Sequence, residues 1–117
     1  MKILIVDDAR WQRQNLSKIL AAAGHEVIQA TNGREALEKL SESPAIIVCD
    51  LLMPELDGFG FLEELGRRPD HPPVIIASAD IQRTSRERCT ALGAAAFLAK
   101  PYAANDILPL LSSVAVR

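Results

Sequence analysis

The sequence predicts an α/β domain in which five parallel β-strands alternate with five helices. Short apolar runs recur along the 117 residues, helical spacing of apolar residues fills the intervals between them, and three of the runs lack polar alternation. Continuous apolar runs suit strands that are covered on both faces, as the strands of parallel sheets are. Five successive strand–helix units are therefore typical of a doubly wound sheet with right-handed crossovers.

The predicted strands are short, and polar residues follow most of them. Their apolar cores are Ile3 to Val6, Val27 to Ile28, Ile46 to Cys49, Val74 to Ala77 and the weaker Ala95 to Leu98. In open α/β sheets, ligands bind outside the carboxyl ends of the strands. The residues just after each strand are therefore the first candidates for a functional site.

The predicted helices lie between the strands and carry apolar residues at positions i, i+3, i+4 and i+7. The five apolar faces are Leu16, Ile19, Leu20 and Ala23; Gly33, Ala36, Leu37 and Leu40; Gly58, Phe61, Leu62 and Leu65; Ile81, Ser85, Cys89 and Leu92; and Ile107, Leu110, Leu111 and Val114. The fourth face is the thinnest, so we expect that helix to be the most exposed.

Local signals mark where several helices begin and end. Asn32 and Glu35 fit a capping box that opens the second helix, and Gly24 fits the left-handed position that closes the first. Pro109 falls inside the fifth helical pattern, where its missing N–H and its ring cost roughly 3 kcal/mol. We therefore expect a kink at Pro109, or a helix that starts near it.

Length and composition predict a single globular domain over residues 1–117. With 49% hydrophobic residues and a net charge of −2, the chain has no general attraction to nucleic acid or anionic membranes. Cys49 and Cys89 lack CxxC spacing, which favours buried free thiols in a reducing compartment. No apolar run approaches the ~18 residues of a membrane span or the core of a signal peptide. A cytoplasmic location is expected.

Residues whose side chains can react or bind ligands follow most of the predicted strands. They are Asp7 and Asp8 after the first strand, Asp50 after the third, Ser78 and Ala79 after the fourth, and Lys100 and Pro101 after the fifth. If these strands are neighbours, three carboxylates, one hydroxyl and one ammonium meet in one crevice. Clustered carboxylates raise one another's pKa, whereas Mg²⁺ prefers such oxygen ligands and leaves positions for phosphate oxygens. Aspartate can itself accept a phosphoryl group.

Each of these residues also has an ordinary structural interpretation. Two acids before a helix are more often an N-cap and a dipole partner than metal ligands. Asp50 is compatible with a turn before Pro54, and Ser78 with a helix cap. Their shared position at one sheet edge favours the functional interpretation, because capping does not require it.

Four strings of residues together resemble the response-regulator receiver domain of two-component signalling, over essentially the whole chain. They are LIVDD at 4–8, D-x-x-M-P-x-x-D-G from Asp50 to Gly58, Ser78-Ala79 and Lys100-Pro101. The resemblance implies a flavodoxin-like (βα)5 fold with strand order 2-1-3-4-5. It also implies that Asp50 accepts a phosphoryl group from a sensor histidine kinase or a phosphotransfer protein, as a signalling phospho-acceptor and not as an enzyme.

The resemblance further implies a Mg²⁺ site in the crevice. Asp8, Asp50 and the backbone carbonyl of Leu52 would hold the ion, and Asp7 would act mainly through a coordinated water. The side chain of Leu52 flanks the expected approach of the hydrolytic water. Because an apolar side chain cannot orient that water, we hypothesise slow self-dephosphorylation.

The remaining crevice residues would bind the phosphoryl group and transmit its presence. By the resemblance, Ser78, Lys100 and the backbone N–H of Ala79 would grip the phosphoryl oxygens, and the Lys100–Pro101 bond would be cis. Ser78 and the aromatic Phe97 would form the switch. The surface around the fourth helix, fifth strand and fifth helix would then change shape, and a phosphatase or effector protein would bind it. The protein would be a monomer or weak dimer without direct contact to nucleic acid or membrane.

Three alternative functions stay open. A receiver-like interaction module would never become phosphorylated, although every position with chemistry is filled here. A phosphatase that forms an aspartyl-phosphate typically needs a second aspartate where this chain has Leu52. A flavin or nucleotide binder needs a first loop rich in glycine or hydroxyls, not Asp7-Asp8-Ala9-Arg10. Trp11, just after the acidic pair, is expected to cover the base of the first helix and not the mouth of the crevice.

Overall fold

A computed structural model describes residues 1–80 and 82–115 and confirms the predicted fold class. The strands are β1 (Lys2–Val6), β2 (Glu26–Ala30), β3 (Ile46–Asp50), β4 (Val74–Ser78) and β5 (Ala96–Ala99). The helices are α1 (Arg10–Ala22), α2 (Gly33–Lys39), α3 (Gly58–Gly66), α4 (Arg83–Ala91) and α5 (Ala104–Ala115), with a short 3₁₀ turn at Leu40–Glu42. The strands form one sheet in the order β2-β1-β3-β4-β5, and every neighbouring pair is parallel.

Two apolar cores lie on opposite faces of the sheet. On one face Leu4 and Val6 of β1 pack with buried residues of α2, α3 and α4, and on the other Ile3 and Ile5 pack with those of α1 and α5. Both faces of the inner strands are therefore dry, which explains why the apolar runs show no polar alternation. A rigid, doubly covered sheet is what presents the strand ends at a fixed edge.

The predicted helix ends are largely present. The side chain of Asn32 accepts a hydrogen bond from the N–H of Glu35 at 2.9 Å, as an N-cap should. The Glu35 carboxylate accepts from the hydroxyl of Thr31 at 3.1 Å, which is not the reciprocal bond of a capping box. Gly24 closes α1 with a φ of +89°, in the left-handed region that favours glycine.

The fourth helix is as exposed as its pattern predicts, since Cys89 is the one residue buried among Arg83–Ala91. Ile81, placed on that helix by the sequence pattern, lies outside the described residues. None of the helices in residues 1–80 and 82–115 is long and apolar enough to cross a lipid bilayer.

The fifth helix begins well before Pro109, unlike the predicted alternative in which it starts near the proline. It starts at Ala104, five residues before Pro109, so a start near the proline is wrong. The Asp106 carboxylate accepts the N–H of Ala103 at 2.8 Å, and the Ala103 carbonyl accepts from Asp106 and Ile107, which fixes this earlier start. The helix tolerates its interior proline because its apolar stripe is buried against the sheet at Ile107, Leu111 and Val114.

Candidate functional site

The strand order creates a crevice at the carboxyl edge of the sheet. Strands β1, β3, β4 and β5 are consecutive neighbours, so their ends meet there. Asp50 is the last residue of β3 and Ser78 is the last residue of β4. A cavity of about 240 Å³ lies between them, lined by Asp8, Ala9, Gln12, Asp50, Leu52, Ser78, Ala79, Asp80 and Lys100. Most residues that the sequence predicted for the site therefore line one cavity.

Three carboxylates converge beside this cavity. One oxygen from each of Asp7, Asp8 and Asp50 lies within 4.8 Å of the other two. Asp7 is only 7% exposed, whereas Asp8 is exposed and Asp50 is half-buried. The Asp7 carboxylate accepts the N–H of Ala9 at 2.9 Å, and its own backbone N–H donates to Ala30 at 3.1 Å. Asp7 is thus anchored by the backbone at the end of β1.

One ammonium group faces these acids. The Nζ atom of Lys100 lies 2.9 Å from Oδ2 of Asp7 and 3.5 Å from Oδ1 of Asp50, and it donates to Oε1 of Gln12 at 2.5 Å. The backbone N–H of Lys100 donates to the carbonyl of Ser78 at 2.8 Å, which ties the lysine to the end of β4. The peptide bond between Lys100 and Pro101 is cis.

The electrostatics of the crevice favour a bound cation. The pKa of Asp50 is raised, chiefly by burial and also by the charge of Asp7. The charge of Lys100 and the hydrogen bond from the N–H of Leu51 lower this pKa, but by less than burial and Asp7 together raise it. Burial together with the charges of Asp7 and Asp50 raises the pKa of Tyr102 to about 12. Three carboxylates against one ammonium leave a negative excess. An all-oxygen donor set of this charge fits Mg²⁺.

The hydroxyl of Ser78 forms part of the cavity wall, although this residue is only 2% exposed. Its oxygen accepts the N–H of Asp80 at 3.0 Å, so its proton remains able to donate. The Asp80 carboxylate accepts from the hydroxyl of Ser85 at 2.6 Å and from the N–H of Gln82 at 3.0 Å. These two bonds hold the pKa of Asp80 below its usual range.

The loop after β3 is shaped by a close backbone approach. The N–H of Gly58 donates to the carbonyl of Leu51 at 2.8 Å, and a Cβ at position 58 would lie 2.7 Å from the carbonyl oxygen of Asp50. The Asp57 carboxylate caps α3 by accepting the N–H of Gly60 at 2.8 Å. Leu52, 65% exposed, lines the cavity mouth. Gly58 and Asp57 of the sequence motif therefore have structural roles: Gly58 allows the close approach to Asp50, and Asp57 caps α3.

Two aromatic residues singled out by the sequence, Phe97 and Trp11, lie on β5 and in the first turn of α1. Phe97 is half-buried on β5, and the guanidinium of Arg86 lies 5.4 Å from the centre of its ring. Trp11, 75% exposed, lines a second cavity of about 390 Å³ together with Lys100, Pro101 and Tyr102. The expectation that Trp11 covers the helix base is wrong, because the first turn of α1 places it beside the loop after β5.

Sequence reasoning missed Gln12 as a site residue. It lies in the first turn of α1, lines the cavity and accepts a hydrogen bond from Lys100. A glutamine at an exposed helical position carries no motif. Its position in the first turn of the predicted helix that follows the acidic pair was the available signal.

The sheet order and the acidic crevice define the class of flavodoxin-like receiver folds. The chain belongs to the response regulator receiver domain family, whose sequence model matches residues 3–112. Members of this family are the phospho-acceptors of two-component signalling.

Individual relatives differ in how much of their length the chain covers. Chemotaxis protein CheY of Thermotoga maritima is 36% identical over 115 residues, which are 97% of this chain and 96% of that protein. The probable transcriptional regulator ycf27 of Porphyridium aerugineum is 36% identical over 117 residues, 99% of this chain but 48% of that protein. The structure of Vibrio cholerae chemotaxis protein CheY4 superposes with a TM-score of 0.90 at 32% identity, covering 97% of each chain. The chain thus spans nearly all of the chemotaxis proteins and about half of the ycf27 protein.

Proposed function

We propose that this chain is a phospho-accepting receiver domain whose Asp50 takes a phosphoryl group from a phosphohistidine. The donor would be a sensor histidine kinase or a phosphotransfer protein. The observation that carries this proposal is the position of Asp50 at the end of β3, with the Lys100 ammonium 3.5 Å away and carboxylate oxygens of Asp7 and Asp8 within 4.8 Å. A nucleophile, a cation-binding group and a fixed positive charge share one cavity.

Mg²⁺ is the cofactor that this donor set supports. Asp8, Asp50 and the backbone carbonyl of Leu52 would hold it, with Asp7 acting through a coordinated water. When bound, the ion supplies positive charge that offsets the attacking carboxylate and the phosphoryl oxygens. The buried Asp7 is already bonded to Lys100 and to the backbone of Ala9, which suits an indirect role.

The transfer step is an in-line displacement at phosphorus. An Oδ atom of Asp50 forms the new bond, the P–N bond breaks, and the imidazole nitrogen keeps its electron pair and takes up a proton. The ammonium of Lys100, the hydroxyl of Ser78 and the N–H of Ala79 would donate to the three oxygens of the moving group. The Ser78 oxygen already accepts from Asp80, so its own proton is the one available to the phosphoryl group.

The output would follow from a rearrangement of Ser78 and Phe97. When Ser78 moves onto the phosphoryl group, space opens for the ring of Phe97, which is half-buried and packed at the edge of one apolar core. The surface formed by α4, β5 and α5 would change, and an effector or phosphatase protein would read it in a monomeric or weakly dimeric chain. Cys49 and Cys89 are buried free thiols, in keeping with the cytoplasmic location we propose.

Acetyl phosphate with Mg²⁺ and intact-mass detection tests the proposal. A single phosphoryl adduct should form on the native chain, disappear when a chelator removes Mg²⁺, and be absent in Asp50→Asn. The matched control is Asp57→Asn, which keeps the cap of α3 and should be labelled normally. Labelling of Asp50→Asn would contradict the assignment of the acceptor. Failure of the native chain to label with acetyl phosphate and with a phosphohistidine donor would favour an interaction module.

A further inference from the structure

The ammonium of Lys100 is held by three acceptors from three parts of the chain. Asp7 follows β1, Gln12 lies on α1 and Asp50 ends β3, at 2.9, 2.5 and 3.5 Å from Nζ respectively. Asp7 and Gln12 accept hydrogen bonds from two of the three N–H donors of the ammonium, and Asp50 forms an ion pair with it at the longer distance. The contact with Gln12 is the shortest of the three, although Gln12 belongs to an exposed helical position.

The chemistry of the contact identifies which end of the amide faces the lysine. Because an ammonium can only donate, its partner is the carbonyl oxygen of Gln12 and not the NH₂ group. Gln12, Ala79 and Lys100 also line both the cavity that contains Asp50 and the larger one beside Trp11. Gln12 therefore stands at the boundary of the crevice, next to the space that the phosphoryl group would occupy.

The geometry points to Gln12 as a positioning residue for Lys100 in phosphoryl transfer. This inference rests on the proposed function and extends it to a residue outside the crevice acids. Asp7 and Gln12 engage two donors of the ammonium, which leaves the third N–H for Asp50 or for an oxygen of the arriving phosphoryl group. Gln12 contacts none of the reacting atoms and acts only through Lys100.

A neutral amide suits this position better than the alternatives. A carboxylate at position 12 would add a fourth negative charge to the crevice and repel a phosphoryl donor. An apolar side chain would leave Lys100 free to close its 3.5 Å separation from Asp50 and pair with the nucleophile. In either case the ammonium would be less well placed for the transition state, which is where positioning raises a rate.

The test compares Gln12→Met with Asn15→Met. Methionine keeps the length of glutamine and removes the acceptor. Asn15 lies on the same helix and lines the same larger cavity, with no hydrogen bond to Lys100 among the described residues. The rate of adduct formation is measured against acetyl phosphate concentration at saturating Mg²⁺. Gln12→Met should lower the limiting rate by about fivefold to tenfold, with little change in the half-saturating concentration, and Asn15→Met should leave both unchanged.

A second donor separates positioning of Lys100 from recognition of the leaving group. Phosphoramidate and acetyl phosphate differ only in what departs, so Gln12→Met should slow both by the same factor. Mg²⁺ affinity measured by calorimetry should not change, because Gln12 is not among the proposed ligands. A loss confined to one donor, or seen only in the half-saturating concentration, would overturn the inference.

The inference and the proposed function fail in different ways. A native chain that forms no adduct with any donor overturns the proposed function, and this inference with it. A native chain that labels at the same rate as Gln12→Met overturns the inference alone. Circular dichroism and urea unfolding check that the variants fold, and Gln12→Ala, a strong helix former at an exposed site, is the second variant. An equal loss in Asn15→Met would also overturn the inference, since it would report a general effect on α1.

Discussion

The ammonium of Lys100 lies closer to Asp7, at 2.9 Å, than to Asp50, at 3.5 Å. Asp7 is thus the main acidic partner of Lys100. The negative charge of Asp50, the proposed phospho-acceptor, is only partly offset by the lysine. This relationship agrees with the raised pKa of Asp50, in which burial outweighs the attraction of Lys100. It leaves the Asp50 carboxylate available to a cation and to phosphorus.

Removing Lys100 should destabilise the fold through Asp7. In Lys100→Met the Asp7 side chain, only 10% exposed, loses its cation, and we expect a loss of about 1–3 kcal/mol in the free energy of unfolding. Adding Asp7→Asn should recover part of that loss, because no buried charge then remains unpaired. Urea unfolding of the two single variants and the double variant measures the coupling, and strictly additive effects would contradict the pairing.

The raised pKa of Asp50 predicts that Asp50→Asn stabilises the metal-free protein. Above its folded-state pKa, Asp50 is ionised at a cost that the unfolded chain does not bear. The variant should therefore melt roughly 2–5 °C higher at neutral pH. As pH falls through the raised pKa toward the ordinary value, native Asp50 takes up a proton and the difference should shrink. Asp70→Asn, at an exposed position outside the crevice, is the matched control.

Two glycines of α3 should respond to alanine in opposite ways. At Gly58 a Cβ would meet backbone atoms of Asp50 and Leu51 at 2.7 and 2.9 Å, so Gly58→Ala should cost about 2 kcal/mol or more and, given the proposed function, slow phosphorylation of Asp50. At Gly66 nothing lies within 4 Å of the added atom, and Gly66→Ala should stabilise by about 0.5–1 kcal/mol. Chemical denaturation tests both; a neutral Gly58→Ala would show that the loop can shift away from Asp50.

Leu52 predicts slow loss of the phosphoryl group, given the proposed function. The side chain is 65% exposed at the cavity mouth and has no polar atom to orient an attacking water. Leu52→Gln should accelerate decay of the adduct by about threefold to tenfold, while Leu52→Met should leave it unchanged. Decay is followed by intact mass after removal of the donor. Rapid decay in the native chain that no Leu52 substitution slows would contradict the hypothesis.

Pro109 predicts a stabilising substitution in α5. The residue is exposed and interior to Ala104–Ala115, where proline lacks the N–H that an α-helix uses and is disfavoured by about 3 kcal/mol relative to alanine. Pro109→Ala should therefore raise the free energy of unfolding by about 1–3 kcal/mol. Ser113→Ala, exposed on the same helix, should add no more than about 0.5 kcal/mol. Equal effects of the two would indicate that the helix has already adapted to the proline.

Much of the site could be predicted because its residues stand next to strong local patterns. Asp50 and Ser78 end continuous apolar runs that are easily recognised as buried strands, and parallel pairing then brings those ends together. The edges of the weaker elements were less predictable. Strand β5 is Ala96–Ala99, one residue later than its apolar run, because pairing with β4 and not composition sets its limits. Helix α5 began before Pro109 because its apolar stripe packs on the sheet.

What the sequence by itself determined is the class of fold and the set of acids, hydroxyl and lysine at the strand ends. Both can be predicted because hydrophobic patterns, and a polar residue directly after an apolar strand, are visible within a short stretch of sequence. Only the tertiary structure decided which acid Lys100 prefers, that Gln12 shares the lysine, and that Trp11 stands beside the crevice. These contacts join residues as far apart in the sequence as Asp7 and Lys100. They depend on how α1 and the loop after β5 pack against the sheet, which local sequence patterns do not specify.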